Sequence, residues 1–388
     1  MVAKVQGVLE GATKRYGFNR VAAGLLLLAA STGMTIPALK ALTGSGLAGG
    51  FFVASHVAGT LVAASLLGRL SSANLLQLQR RIGWLLGVSV ALNLGMFFAR
   101  YELMLALRFV EGMSHIVLVT FTMSQRFSAS PKLHQRASTW LGVILVVGVG
   151  LGMGMGGGLA HQGARFGFIG AAFLYVIAGF ILTKPISQGS QIARSHQASG
   201  SASTSAIPGV MVGAERFALG LLSVVLPFAA GSAARSGATL GIIMLSSVIT
   251  APLAYLLAAR TSPRKACQIG AATLALALVG LGAALRAQGS TMFAVAVLTG
   301  GAAGLVFTGA ILQATSQPDE ERRARCMGLL HALGGLGFFA GSLVGGGVVW
   351  LGNHGIRPGA GVALGFVPLL FAMAFARFHA RAVARREA

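Results

Sequence analysis

Apolar residues run along this chain in long blocks, and polar residues fall between the blocks instead of alternating with them. No stretch alternates convincingly with period two, so half-buried strands are not expected. Each block holds roughly 20 residues, the length at which a helix crosses about 30 Å of hydrocarbon. Twelve such spans are predicted, near 20–39, 47–68, 81–99, 102–125, 137–160, 165–183, 214–234, 238–259, 266–286, 291–315, 325–351 and 358–376. The expected fold class is all-α integral membrane. The first apolar run has no short core followed by a cleavage pattern, and it reads as a retained span.

Composition agrees. Only 10% of residues are charged, against roughly a quarter in soluble domains. The 56 glycines follow no collagen period; inside apolar helices small residues let backbones approach. Cys267 and Cys326 stand far apart and outside any CxxC pattern, which excludes a disulfide framework or a cysteine metal site. A net charge of +22 raises the question of nucleic acid. The basic residues punctuate the spans without forming one face, so no nucleic-acid partner is expected. They gather on one side: Lys4, Lys14, Arg15 and Arg20, then Arg69, Arg80 and Arg81, and so on to Arg377, Arg381, Arg385 and Arg386. The other side keeps only Lys40, Arg100, Arg165, Arg235, Arg286 and Arg357. The positive-inside rule puts both termini in the cytoplasm.

The two halves of the chain repeat. Arg20-x-x-x-Gly24-Leu25-Leu26 matches Arg216-x-x-x-Gly220-Leu221-Leu222. Gly148, Gly152 and Gly156-Gly157-Gly158 match Gly337, Gly341 and Gly345-Gly346-Gly347. Residues 185–208 form the one long polar, low-complexity stretch and read as a flexible linker. The expected organisation is a six-helix bundle over 1–184, the linker over 185–208, and a second bundle over 209–388. Parallel repeats of this kind imply a pseudo-two-fold axis along the membrane normal and a cavity between the halves.

The chemistry converges on the fourth span. Arg108, Glu111 and His115 are spaced i, i+3 and i+7 and share one helix face. Glu111 lies about 13 Å along the helix from Glu102 and reads as the sole carboxylate near mid-membrane. Charges at that depth face a bundle interior or a wet cavity. Glu111 is the candidate for taking and releasing a proton, with Arg108 tuning it or holding an anionic group and His115 assisting. The competing reading is a structural ion pair, Arg108–Glu111, locking helices together. Glu215 aligns with Asn19 in the repeat and is expected at a helix start on the membrane edge, where an acid complements the helix dipole.

Other residues are candidates for lining a cavity. Thr32, Thr35, His56, Ser247 and His331 fall within spans, as do Ser31, Ser246 and Thr250. The hydroxyls have a plainer reading as partners of their own helix backbone, and the histidines as hydrogen-bonded interior groups. The series Gly148, Gly152, Gly156 and Gly337, Gly341, Gly345 present smooth helix faces for gating or packing. Trp84 and Trp140 read as interfacial anchors.

Several of these motifs resemble the major facilitator superfamily of secondary transporters. Gly148-x-x-x-Gly152-Met153-x-x-Gly156-Gly157 is similar to that family's antiporter motif GxxxGPxxGG, with Met153 at the proline position. Arg108 with Gly112 resembles its RxxxG motif, whose arginine the resemblance links to proton coupling. Gly68-Arg69-Leu70 begins like its GxxxDRxGRR loop, although Ser72 stands at the aspartate and Arg80-Arg81 comes late. Pro318-Asp319-Glu320-Glu321-Arg322-Arg323-Ala324-Arg325 before the eleventh span also resembles the family. The resemblance implies a monomeric, multi-pass protein of a bacterial inner membrane, with a small-molecule substrate, protons and the lipid bilayer as partners. It implies proton-coupled efflux by antiport, with import or facilitation of a small, possibly anionic metabolite as the alternative. A non-transporting sensor or assembly factor remains the reading from another class. No HExxH, Walker sequence or nucleophile–base pair is found, so no enzyme activity, cofactor or metal is expected.

Overall fold

The structure is a computed structural model, and it describes residues 2–67, 81–123, 131–183, 206–287, 290–317, 320–354 and 358–387. The loop motif at Gly68, Arg69, Ser72 and Arg80, nearly all of the polar linker, and Pro318-Asp319 lie outside the described residues. Among the described residues ten helices are long and apolar enough to cross a membrane, and two shorter apolar ones, Ile82–Phe98 and Phe166–Leu182, complete the set of twelve. The protein is a multi-pass α-helical membrane protein.

The twelve spans fall where the apolar blocks predict, with differences at their ends. The first is a long helix, Val2–Gly33, followed by a 3-10 turn at Ile36–Ala38 and a short helix Leu39–Thr43. Pro37 sits at this break, because its missing N–H and ring cannot continue the ladder. The eighth span breaks in the same way: Ala233–Ile249 ends at Thr250, and Ala251–Arg260 restarts with Pro252 in its first turn. The seventh span, Ile207–Ala229, begins earlier than the repeat alignment suggests. Pro208 lies in its first turn, where a proline is pre-organised for a helix and loses no bond. Ile207 and Pro208, assigned to the polar stretch from sequence, are buried helical residues. The remaining spans are Gly46–Leu67, Tyr101–Met123, Pro131–Leu159, Pro263–Ala287, Ser290–Thr315, Glu320–Gly352 and the pair Pro358–Leu364 and Phe366–Glu387.

Packing repeats between halves. Span one packs on five and six, two on four, and three on four and six; seven packs on eleven and twelve, eight on ten, and nine on ten and twelve. The main contacts between halves join two to eleven and five to eight. This is two six-helix bundles related by a pseudo-two-fold axis.

Lipid tails are as apolar as leucine, so helices gain little by hiding apolar faces from them, and close packing must supply the attraction. Glycine provides it here. The predicted ladders pack inside each half: Gly148, Gly152 and Gly156 meet the backbone carbonyls of Leu26, Ala30 and Met34 in span one, while Gly337, Gly341 and Gly345 meet those of Gly213, Phe217 and Leu221 in span seven. Gly59 and Gly112 join spans two and four in the same manner, as Gly300 and Gly304 join ten and eight. A second set, next in sequence to the first, faces the other half. A methyl on Gly157 would come within 2.8 Å of the Ala233 carbonyl, and one on Gly346 within 2.8 Å of the Gly46 carbonyl.

Gly152→Leu is expected to destabilise the N-terminal bundle, since its first side-chain carbon would enter the Ala30 carbonyl. Overpacking of this kind costs about 1–3 kcal/mol or more. A thermal-unfolding series in detergent would check it, with Gly158→Leu, where no atom lies near, as the silent control.

Candidate functional site

Two groups of polar side chains lie inside the helices. The first is built on the fourth span. Glu111 is 1% exposed and accepts three donors. Arg108 Nη1 donates to Oε2 at 2.9 Å, His56 Nδ1 lies 2.6 Å from the same oxygen, and the Tyr175 hydroxyl donates to Oε1 at 2.8 Å. A carboxylate only accepts, so His56 carries its proton on Nδ1. Tyr175 has one proton and gives it to Glu111, so its oxygen accepts from His115 Nδ1 at 3.3 Å. Arg108 also donates through Nη2 to the Thr32 carbonyl at 3.3 Å, one of the last carbonyls of its helix and so without an intrahelical donor. Its guanidinium carbon stands 5.2 Å from the centre of the Phe52 ring. Spans one, two, four and six thus meet at one acid.

The sequence brings Arg108, Glu111 and His115 together correctly. It places His56 in a cavity, whereas the structure gives it to Glu111. It misses Tyr175. The signal was available: a lone phenol in the apolar sixth span needs a partner when buried.

The second group lines a cavity of about 340 Å³ between the halves. Spans four and five contribute Met123, Val143 and Val146; the C-terminal half contributes Leu219, Met244, Phe307 and Ile311, with Glu215, Arg216, Ser247, Tyr255, Thr308, Thr315 and His331 as its polar members. Ser247 and His331 are therefore where the sequence expects them. Thr32 and Thr35 are not on this wall. Thr32 Oγ1 bonds to the Ala29 carbonyl at 2.8 Å; Thr35 is fully buried and its hydroxyl has no partner. Ser246 is buried on its own helix, and Thr250 Oγ1 ties the break of span eight to the Gly301 carbonyl at 3.0 Å.

Glu215 requires a correction. It does not sit at a helix start on the membrane edge. Span seven begins at Ile207, which puts Glu215 about 12 Å into the helix, and it is 2% exposed on the cavity wall. Among the described residues Glu111 is therefore not the only acid buried inside the spans, and the acid on the cavity wall is the other one. The apolar run 207–214 behind Pro208 was the missed signal. Arg216 Nε lies 3.3 Å from Glu215 Oε2, close enough to pair by charge but not aligned as a hydrogen bond, so that oxygen has no donor. The Arg216 guanidinium carbon stands 4.6 Å from the centre of the Phe307 ring.

No protein-family model and no curated protein matches the sequence. Solved structures do match, over nearly the whole chain. A bacterial homolog of the human lysosomal transporter Spinster, in an inward-facing and occupied conformation, aligns with 95% of this chain and 97% of its own at 14% identity and a TM-score of 0.71. The nucleoside transporter NupG aligns over 94% and 98% at 14% identity and 0.70, and the D-xylose-proton symporter over 92% and 96% at 15% identity and 0.69. Identities this low speak for the fold alone. The chain has the twelve-helix fold of the major facilitator superfamily, the fold that solved proton:xylose symporters also have.

Proposed function

We propose that this protein is a secondary transporter that moves a small organic solute by alternating access, exporting it in exchange for protons, with both termini in the cytoplasm. The observation that carries the reading is the cavity between two similar halves, apolar over most of its wall and holding a buried ion pair. Pockets with a few polar groups on apolar walls are how proteins hold small organic molecules. The fold supports it too, since solved structures that share it include a nucleoside transporter and a D-xylose-proton symporter. Export rests on the resemblance of Gly148–Gly157 to an antiporter motif.

Proton coupling is assigned to Glu111, Arg108 and His115, with His56 and Tyr175 added by the geometry. A buried carboxylate held by three donors changes its proton affinity when one donor leaves, because each donor stabilises the charged form. His56 is 15% exposed against 1% for Glu111, so of these two it is the more accessible. A proton therefore enters by the imidazole. Sealing of the far end is assigned to the glycine contacts between halves. Gly46 and Gly50 open span two, Gly346 is near the end of eleven, Gly157 ends five and Gly237 is near the start of eight. All lie opposite the end that Met123, Tyr255, Thr315 and Met327 bring to the cavity.

Proteoliposomes with an imposed pH gradient, screened against a compound panel with proton flux recorded, test the reading. Solute and protons are expected to move in opposite directions. Movement in the same direction would make the protein an importer, and no movement of any compound would leave the sensor reading. In the same assay Glu111→Gln is expected to abolish gradient-driven accumulation while leaving downhill exchange; intact accumulation would remove Glu111 from the mechanism. For the seal, Ser247→Cys on the cavity wall reports access. Adding Gly237→Leu is expected to raise labelling by an impermeant maleimide from the side opposite the termini. A shift of about 1–3 kcal/mol between the two states corresponds to roughly 5- to 150-fold. Unchanged labelling would show that this seam does not close that end.

A further inference from the structure

Glu215 is the best guide to what the cavity accepts. Glu215 lines the cavity at 2% exposed, and its buried Oε2 has no hydrogen-bond donor. A buried carboxylate oxygen without a donor leaves its desolvation cost unrecovered, and a ligand donor that reaches it removes that cost. The neighbouring Arg216 offers guanidinium N–H groups from the same wall, being 23% exposed with its Nε turned toward Glu215. An acceptor and a donor therefore stand side by side.

When Glu215 is ionised the two charges cancel. A cationic solute would leave the chamber with a net positive charge, and an anionic one with a net negative charge, in surroundings where unpaired charge is costly. A neutral group that gives one hydrogen bond to Glu215 and takes one from Arg216 satisfies both and adds no charge. Phe307 lies against Arg216, and Leu219, Met244 and Val146 line the same cavity; together they suit an aromatic or aliphatic body. The cavity volume is near the lower end for small-molecule sites.

We infer that the cavity binds a net-neutral amphiphile whose polar end presents a donor beside an acceptor, of the carboxamide type, with Glu215 and Arg216 reading that end. This rests on the transporter reading but is tested by binding, which does not need transport.

The test uses the full chain in detergent at neutral pH and three probes with one body: 3-phenylpropanamide, 3-phenylpropylammonium and 3-phenylpropanoate. Titration calorimetry is expected to rank the amide tightest by at least about tenfold, the ratio that 1.4 kcal/mol gives. In Glu215→Gln the arginine loses its counter-charge, and the carboxylate probe is expected to lead. In Arg216→Gln the ammonium probe is expected to lead. Preference for either ion in the unaltered protein, an unchanged ranking in both variants, or no heat from any probe would overturn the inference. If either variant fails to fold, the ranking on the unaltered protein decides alone. The same probes in proteoliposomes separate the two claims. An amide that binds without crossing keeps the inference and removes the transport reading. A charged probe that crosses while the amide neither binds nor crosses does the opposite.

Discussion

Backbone-to-backbone contact through glycine is the constraint on which this molecule depends. A helix in lipid has no water to escape by packing on its neighbour, so attraction grows only as axes come close enough for dispersion over a wide area. Side chains larger than a hydrogen hold the axes apart. Span five shows how far the chain takes this. Gly148, Gly152 and Gly156 turn toward span one, while Gly150 and Gly157 turn toward span eight. One helix thus has a permanent neighbour on one face and the other half of the molecule on another. Span eleven divides its glycines in the same way, between span seven and span two.

Inside that frame, charged groups are few and placed in pairs. The Glu111 cluster is satisfied almost completely; its one lapse among the described atoms is Arg108 Nε, buried without a partner. The Glu215 pair is left incomplete on the wall of an open space. Burial of a charge is tolerable when it is paired and hydrogen-bonded, and costly otherwise. The contrast separates a group whose partners belong to the protein from one left without a donor on the cavity wall.

Much of this was legible in the chain. Twelve spans, their repeat and the Arg108–Glu111–His115 stripe follow from block length, motif spacing and the 3.6-residue turn. What sequence could not place was depth and direction. Glu215 was read as peripheral because the repeat aligned it with Asn19, yet helix ends are set by local chemistry, and Pro208 lets span seven start well before that alignment. The ladder glycines were recognised, but which face met which helix depends on how the halves dock. His56 and Tyr175 join Glu111 from spans remote in the chain, and nothing local marks such meetings. His331 and Ser247 lie on the cavity wall as expected, while Thr32 and Thr35 do not, since a hydroxyl in a span gives no sign of which way it points.

One feature of the two ion pairs shapes any motion of the molecule. Arg108 and Glu111 lie on one helix, as do Glu215 and Arg216, so each pair travels with its own rod. Swinging one bundle against the other stretches neither, and the electrostatic cost of separating opposite charges never enters the barrier. Under the proposed proton coupling, sensitivity to protons arises within a bundle, where His56, Glu111 and Tyr175 join the second, fourth and sixth spans, and the proposed rocking runs over neutral, glycine-paved ground.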